Sequence, residues 1–81
     1  MVKFVAACPM PGGVFTASEH EISGSTTAEL RDAAWARCEV GRYVSSIYAV
    51  VDDGPAVTVY TESGGWRITD PTDEAQITVL K

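Results

Sequence analysis

Carboxylates are the side chains of this sequence with the greatest capacity for chemistry. The 81-residue chain contains eleven Asp and Glu but six Lys and Arg, which gives a formal net charge of −5. After Arg42, six acidic residues face only Arg67 and Lys81. These six are Asp52, Asp53, Glu62, Asp70, Asp73 and Glu74. Carboxylates at this density can transfer protons, bind a metal ion or bind a basic protein surface.

The adjacent pair Asp52 and Asp53 is the first candidate for acid–base or metal chemistry. Gly54 and Pro55 follow directly, so the pair lies in a predicted hairpin turn, where aspartate is common for backbone reasons. A calcium loop would need several more oxygen ligands at set spacing, and the sequence does not supply them. We therefore favour solvated turn carboxylates over a catalytic or metal-binding pair.

The only histidine lies between two glutamates, at Glu19, His20 and Glu21. A metal site needs three or four converging ligands, whereas adjacent residues of a strand point to opposite faces. Glu19 and Glu21 can share a face, but His20 cannot join them there. The pattern is typical of a polar edge strand.

No nucleophile or phosphate-binding loop is evident. The single histidine has no evident route to a serine or threonine nucleophile. The pairs Gly12-Gly13 and Gly64-Gly65 lack the pattern of a phosphate loop, and no lysine follows either pair. The sequence therefore predicts a protein that is not an enzyme and that has no cofactor. A small enzyme that uses Glu19, His20 or Asp52 is a third hypothesis.

The elements that must position these residues form a simple order. Turn signals and hydrophobic alternation predict the order ββαβββ. The predicted strands are residues 2–8, 14–22, 42–51, 56–62, 66–69 and 75–80, and the helix is 27–39. This order predicts an α+β fold in a single domain, residues 1–81. One helix packs on one face of a mostly antiparallel sheet of five to six strands.

The helix is the clearest local signal. Thr26 and Glu29 have the spacing of a capping box at its start. Leu30, Ala34 and Cys38 recur every four residues and so share the face that is predicted to be buried. Because these residues are mostly small, the helix should lie close to the sheet.

A two-residue hairpin loop at Asp53-Gly54 and a four-residue loop at Asp52–Pro55 predict the same register for the second half of the sheet. This register places Ile47 opposite Tyr60 and Tyr48 opposite Val59. Alternation then predicts that one face packs against the helix, with these members: Val44, Tyr48, Val50, Val57, Val59, Trp66 and Ile68.

The reverse face of the predicted sheet carries Tyr43, Ile47 and Tyr60. If no element covers them, they form an exposed apolar patch of the kind that marks an interaction or dimer surface. If the terminal strands fold over this face, the same residues are buried. Both possibilities stay open, because the sequence does not fix the position of strand 2–8.

Cysteine usage and the N-terminal segment bear on the compartment. Cys8 and Cys38 are too few for a disulfide scaffold, and both fall at apolar positions, which favours two reduced core thiols over a bridge. The segment 5–8 resembles a lipoprotein cleavage box, but the apolar stretch before it is too short for a signal peptide. No run is long enough to span a membrane. We therefore expect a cytoplasmic protein.

The whole chain resembles, in architecture, the small phage-encoded anti-CRISPR proteins of type I systems. The shared pattern is two N-terminal strands, a capped Ala-rich helix and a run of antiparallel strands in an acidic chain. The resemblance implies a DNA mimic that occupies the basic DNA-binding channel of the Cascade surveillance complex in the bacterial host cell. On this hypothesis the six carboxylates listed above are the charged contacts, and Ile47 and Tyr60 are apolar anchors beside them.

The charge balance by itself predicts a basic protein surface as the partner. An acidic surface repels phosphates, so we expect no direct binding to nucleic acid and no binding to an anionic membrane. The alternative for the carboxylates is a solvated, solubilising surface. The alternative function is a small structural or accessory phage or bacterial protein that self-associates through an exposed sheet face. The oligomeric state, monomer or homodimer, stays open.

Overall fold

The computed structural model describes residues 1–9, 17–38, 44 and 46–80. In these residues the elements are β1 (Val2–Pro9), β2 (Ala17–Ile22), α1 (Thr27–Arg37), β3 (Ser46–Val51), β4 (Val57–Thr61), β5 (Gly65–Trp66) and α2 (Glu74–Thr78). The strands form one antiparallel sheet in the order β2-β1-β3-β4-β5. The predicted α+β fold is confirmed. Tyr43 and residues 14–16 lie outside the described residues.

The start of α1 follows the predicted capping pattern with one difference. The Thr26 Oγ1 accepts a hydrogen bond from the Glu29 backbone N–H at 3.1 Å. The Glu29 carboxylate reaches back to Ser25, where it accepts from the backbone N–H at 2.9 Å and from the hydroxyl at 3.0 Å. These hydrogen bonds from Ser25 lower the pKa of Glu29. Their contribution to stability is therefore present near neutral pH and is lost as the pH falls through that lowered pKa.

Replacing Thr26 with alanine should lower the free energy of unfolding by about 1 kcal/mol, because the first turn of α1 loses its N-cap acceptor. The comparison is urea denaturation of wild type and Thr26→Ala, with Thr26→Ser as the control that keeps the acceptor. If the serine variant is destabilised as much as the alanine variant, the loss does not come from the cap.

Packing of α1 confirms the predicted buried stripe. Leu30, Ala34 and Cys38 are all buried. A disulfide joins Cys38 to Cys8 of β1, with the two Cα atoms 5.2 Å apart. The prediction of two reduced thiols is therefore wrong. It failed because β1 lies inside the sheet and turns Cys8 toward α1, which brings residues 30 positions apart within disulfide range.

The hairpin between β3 and β4 keeps only part of the predicted register. Ile47 pairs with Tyr60, as predicted, but Tyr48 pairs with Thr58. The register shifts between Ile47 and Tyr48, so the sheet has a β-bulge at this point and Val59 is the extra residue. A bulge of this kind cannot be deduced from strict alternation, which is why the prediction of Val59 opposite Tyr48 was wrong.

In β3 the buried residues are those that were predicted to face away from the helix, whereas Val57 and Val59 of β4 are buried as predicted. Ala6, which shares a face with Cys8, pairs with Ile47 across β1 and β3. The disulfide places α1 over that same face, and Ile47 is completely buried there. Tyr60 is buried as well, with 6% of its surface exposed. Of the two possibilities that the sequence left open, burial is the one that holds for Ile47 and Tyr60, so they cannot serve as exposed apolar anchors. The apolar side of β1 selects this face for the core, and α1, not a terminal strand, covers it.

The C-terminal segment forms a helix where a strand was predicted for residues 75–80. Asp73 caps α2 through its carboxylate, which accepts the Ala75 backbone N–H at 3.1 Å. Ile77 is completely buried and belongs to the same apolar cluster as Ile47. The predicted strand at 66–69 is likewise reduced to the two residues of β5. Both segments therefore add apolar side chains to the core, and of the two only β5 pairs with the sheet.

The opposite face of the sheet, here called the open face, carries Val5, Tyr48 and Val50 at its centre. All three are half-buried and lie outside the buried cluster. Lys3 precedes Val5 by two residues in β1 and is exposed on this face. Tyr48 and Val50 were predicted to pack under the helix. That prediction was wrong because α1 covers the opposite face of β3, on which Ile47 is buried.

Candidate functional site

A tight turn between β3 and β4 contains Asp52 and Asp53. The Gly54 backbone N–H donates to the Val51 carbonyl at 2.9 Å, so the two aspartates are the central residues of the turn. Their φ angles are 50° and 61°. Positive φ at both central positions matches the twist of a hairpin, and aspartate tolerates it better than most residues. The turn therefore explains why two successive aspartates are tolerated at these positions.

These two aspartates line a cleft of about 300 Å³ at this end of the sheet. Glu21 of β2 lines the same cleft, with Lys3 and Val50 between the two acidic walls. The remaining lining residues are Met1, Val2, Ile22 and Ser23. Three carboxylates thus surround one concave surface that also offers apolar groups, which is a suitable environment for the side chain of a lysine or arginine.

The N-terminal ammonium of Met1, a residue that lines the cleft, shows which carboxylates are close to it. It donates to the Asp52 Oδ1 at 2.5 Å as an ion pair. This hydrogen bond raises the pKa of the Met1 ammonium, and the charges of Glu74 and Asp53 raise the same pKa further. Glu74, at the start of α2, therefore lies within electrostatic reach of the cleft. We call Glu21, Asp52, Asp53 and Glu74 the acidic end.

Asp70 and Asp73 have local structural roles beside the acidic end. The Asp70 carboxylate accepts hydrogen bonds from the Thr72 hydroxyl at 2.6 Å and from the Thr72 backbone N–H at 2.9 Å. These bonds lower the pKa of Asp70. Asp73 caps α2, as described above. Both residues are exposed, but their carboxylates already hold the turn that positions Glu74.

Glu62 lies apart from the acidic end. Asp53 lies before β4 and Glu62 lies directly after it. Because β4 has five residues and spans about 16 Å, the two carboxylates lie near opposite ends of this strand. The Tyr60 hydroxyl donates to the Glu62 carboxylate at 3.4 Å. The ring of Tyr60 packs against Trp66 with centroids 4.9 Å apart. The structure therefore divides the six predicted carboxylates between two ends of the sheet, and it removes Tyr60 and Ile47 from the surface.

Four of the six predicted carboxylates are not paired with an arginine or lysine of the described residues. Within the part of the chain that the structure describes, no Lys or Arg side chain lies within 4.0 Å of a carboxylate oxygen of Asp53, Glu62, Asp73 or Glu74. In the described ranges, two cations lie beside the acidic end, the Met1 ammonium paired with Asp52 and the Lys3 side chain in the cleft. The four carboxylates outnumber these two cations, so the net charge that a partner meets there is negative.

Sequence reasoning missed Glu21 as a member of the site. The sequence pattern predicts that Glu21 belongs, with Glu19, to a polar edge strand. The structure confirms that both are exposed on β2, at the edge of the sheet. His20 lies on the opposite face, with its Nε2 3.2 Å from the Ser18 hydroxyl. Nothing local in the sequence could have brought Glu21 together with Asp52, because their proximity arises only when β1 pairs with both β2 and β3.

Neither a cluster of metal ligands nor a membrane-spanning helix is present among the described residues. No three His, Cys, Asp or Glu side chains among these residues are grouped as metal ligands. No helix in the described ranges is long and apolar enough to cross a membrane.

Comparisons with known proteins give no further guidance. The chain matches no protein-family model, and neither the curated proteins nor the solved structures show a significant match to it.

Proposed function

We propose that this protein acts without catalysis, by binding a basic protein surface through its acidic end. The observation that carries the proposal is the convergence of Glu21, Asp52 and Asp53 on one cleft of about 300 Å³. Glu74 adds a fourth negative charge within reach of the cleft. A lysine or arginine of the partner would place its charged group among these carboxylates and its aliphatic stem along Val50.

The specific form of this proposal is an anti-CRISPR protein that binds a type I Cascade subunit in the cytoplasm of a bacterial host cell. A surveillance complex must present rows of Lys and Arg to hold its target DNA, and an acidic end placed over such a row would block DNA by overlap and charge. Support comes from the architectural resemblance and from the charge distribution. Because thiols are kept reduced in the cytoplasm, the protein would work there without the Cys8–Cys38 bond.

Neutralising the two turn aspartates should slow association with the partner about tenfold at low salt, because electrostatic steering is lost. The variant is Asp52→Asn/Asp53→Asn, since asparagine tolerates positive φ and keeps the turn. The measurement is the association rate with purified type I Cascade at low and high salt, together with a gel-shift assay of Cascade on its target duplex. Wild-type protein should prevent duplex binding, and the variant should do so less well.

A matched control removes two negative charges that do not belong to the acidic end. Glu62→Gln with Asp32→Asn changes the net charge equally, and Asp32 is exposed on α1. This control should change the association rate less than about twofold. If the two double variants behave alike, net charge matters and the acidic end does not. If Cascade binds its duplex normally in excess wild-type protein, the anti-CRISPR form is wrong.

The alternative function, self-association through a sheet face, now concerns the open face. Val5, Tyr48 and Val50 provide its apolar centre. Sedimentation of wild type and Tyr48→Asp at low micromolar concentration tests this alternative. A dimer that dissociates in the variant would favour a structural or accessory protein over an inhibitor that works as a monomer.

A further inference from the structure

The β2 strand forms one edge of the sheet. Its residues pair with β1 from Phe4–Ile22 to Pro9–Ala17. In the sheet order β2 has no second neighbour among the described strands. Alternate residues of an edge strand direct their N–H and C=O groups away from the sheet. The outer side of β2 can therefore accept one more strand.

Alternation gives this edge two different faces. Glu19 and Glu21 are exposed on the open face, next to Ala7 and Val5 of β1. Across the sheet, Val5 is followed by Tyr48. No Lys or Arg of the described residues lies within 4.0 Å of either glutamate. A strand added to β2 would thus place its side chains on the open face directly beside two carboxylates.

The charge of these carboxylates decides which strand fits. A second copy that pairs antiparallel through a two-fold axis keeps both open faces on the same side. Its own Glu19 and Glu21 would then lie opposite or diagonal to those of the first copy, which is repulsive. A segment with Lys or Arg at alternate positions instead forms opposite-charge cross-strand pairs with both glutamates.

The edge and the acidic end are continuous. Glu21 belongs to both, and Ser23, just beyond β2, also lines the cleft. An added strand would therefore run from the Glu19 side of the edge toward the cleft that contains Asp53. A basic residue at the end of the segment could enter that cleft while the preceding residues pair with β2.

We propose that β2 binds an extended segment of the partner, with basic residues at alternate positions, as an additional strand of the sheet. This inference rests on the proposed function, since it assigns a shape and a pattern to the basic partner. The strand's backbone hydrogen bonds supply affinity, and Glu19 and Glu21 select the charged side chains.

A synthetic peptide tests the proposal directly. The probe is the capped sequence Thr-Lys-Val-Lys-Val-Lys-Thr, with binding followed by fluorescence anisotropy and by amide NMR spectra of the protein. We expect binding, with the largest shifts and new exchange protection at the β2 amides. The same peptide with Glu in place of Lys should not bind. Absence of binding by the Lys peptide at millimolar concentration would overturn the proposal.

Backbone methylation separates strand addition from simple charge attraction. Two further peptides carry N-methyl groups on the three lysines or on the two valines. Because only alternate amides face β2, one of these peptides should bind at least tenfold more weakly than the other. Equal binding by both methylated peptides would show that no backbone pairing occurs and would overturn the proposal.

Protein variants distinguish this inference from the proposed function. Glu19→Gln/Glu21→Gln should weaken peptide binding about tenfold, whereas the control Glu62→Gln/Asp32→Asn should leave it unchanged. Glu19 belongs only to the edge, whereas Glu21 also belongs to the acidic end. If a basic protein partner depends on Asp52, Asp53 and Glu21 but tolerates Glu19→Gln, the strand-addition proposal is overturned and the proposed function stands.

Discussion

Replacing Ile47 with aspartate is expected to unfold the protein. Ile47 is completely buried between the helices and the sheet, in one cluster with Ala6 and Ile77. An isolated carboxylate there would lose its hydration without gaining a partner, at a cost of at least about 4 kcal/mol. The variant also loses the apolar burial of Ile47, which is worth about 2–5 kcal/mol. The two losses together match the free energy of unfolding of about 4–12 kcal/mol that is typical of a domain of 81 residues.

The neighbouring residue, Tyr48, provides the control for this prediction. Tyr48 is only half-buried on the open face, and its neighbours there, Val5 and Val50, lie outside the buried cluster. Tyr48→Asp should therefore keep the fold, which far-UV circular dichroism and amide NMR spectra will show. The milder change Ile47→Ala should lower the free energy of unfolding by about 2–5 kcal/mol in urea denaturation. A folded Ile47→Asp variant, or equal effects of the two aspartates, would contradict the assignment of the faces.

Removing the disulfide is expected to lower the free energy of unfolding by about 3.5 kcal/mol. The bond between Cys8 and Cys38 closes a loop of 30 residues, and the loss of chain entropy in the unfolded state sets this magnitude. The test compares urea denaturation of wild type with and without reductant. The double variant Cys8→Ala/Cys38→Ala serves as the control, because reductant cannot affect it; alanine avoids placing a hydroxyl in the core.

The outcome also bears on the proposed compartment. If reduced wild type remains folded, the protein can act in a reducing cytoplasm. If it unfolds, the anti-CRISPR form of the proposal loses its site of action, because thiols stay reduced there. A urea midpoint that reductant leaves unchanged would mean that the bond contributes nothing to stability.

Local patterns were sufficient for α1 and for the strands near it. The cap at Thr26 and the stripe of Leu30, Ala34 and Cys38 depend on residues within a few positions of each other, so the sequence predicts them. The same locality explains the error at α2. The β-branched run at Ile77–Val79 favours a strand, whereas Asp73 as N-cap and burial of Ile77 against the core favour the helix that forms.

The candidate site shows a similar division. The turn chemistry at Asp52 and Asp53 predicts that their carboxylates are exposed beside each other, and the structure confirms this. It does not predict that Glu21 lines the same cleft, because that position follows from the pairing of strands that are distant in sequence. The separation of Glu62 from Asp53 already follows from the predicted strand 56–62, which lies between them.

The sequence by itself determined the α+β class, the start of α1, the presence of a turn between β3 and β4 and the excess negative charge, because each depends on composition or on short-range spacing. It did not fix the end of α1, which lies at Arg37 instead of residue 39, or the centre of that turn, which is Asp52-Asp53 instead of Asp53-Gly54. Only the tertiary structure decided which sheet face is buried, which cysteines meet and which carboxylates converge. The physical reason is the central position of β1. Its apolar side, Phe4, Ala6 and Cys8, must be covered by α1, and that requirement turns Ile47 inward and leaves Tyr48 outside.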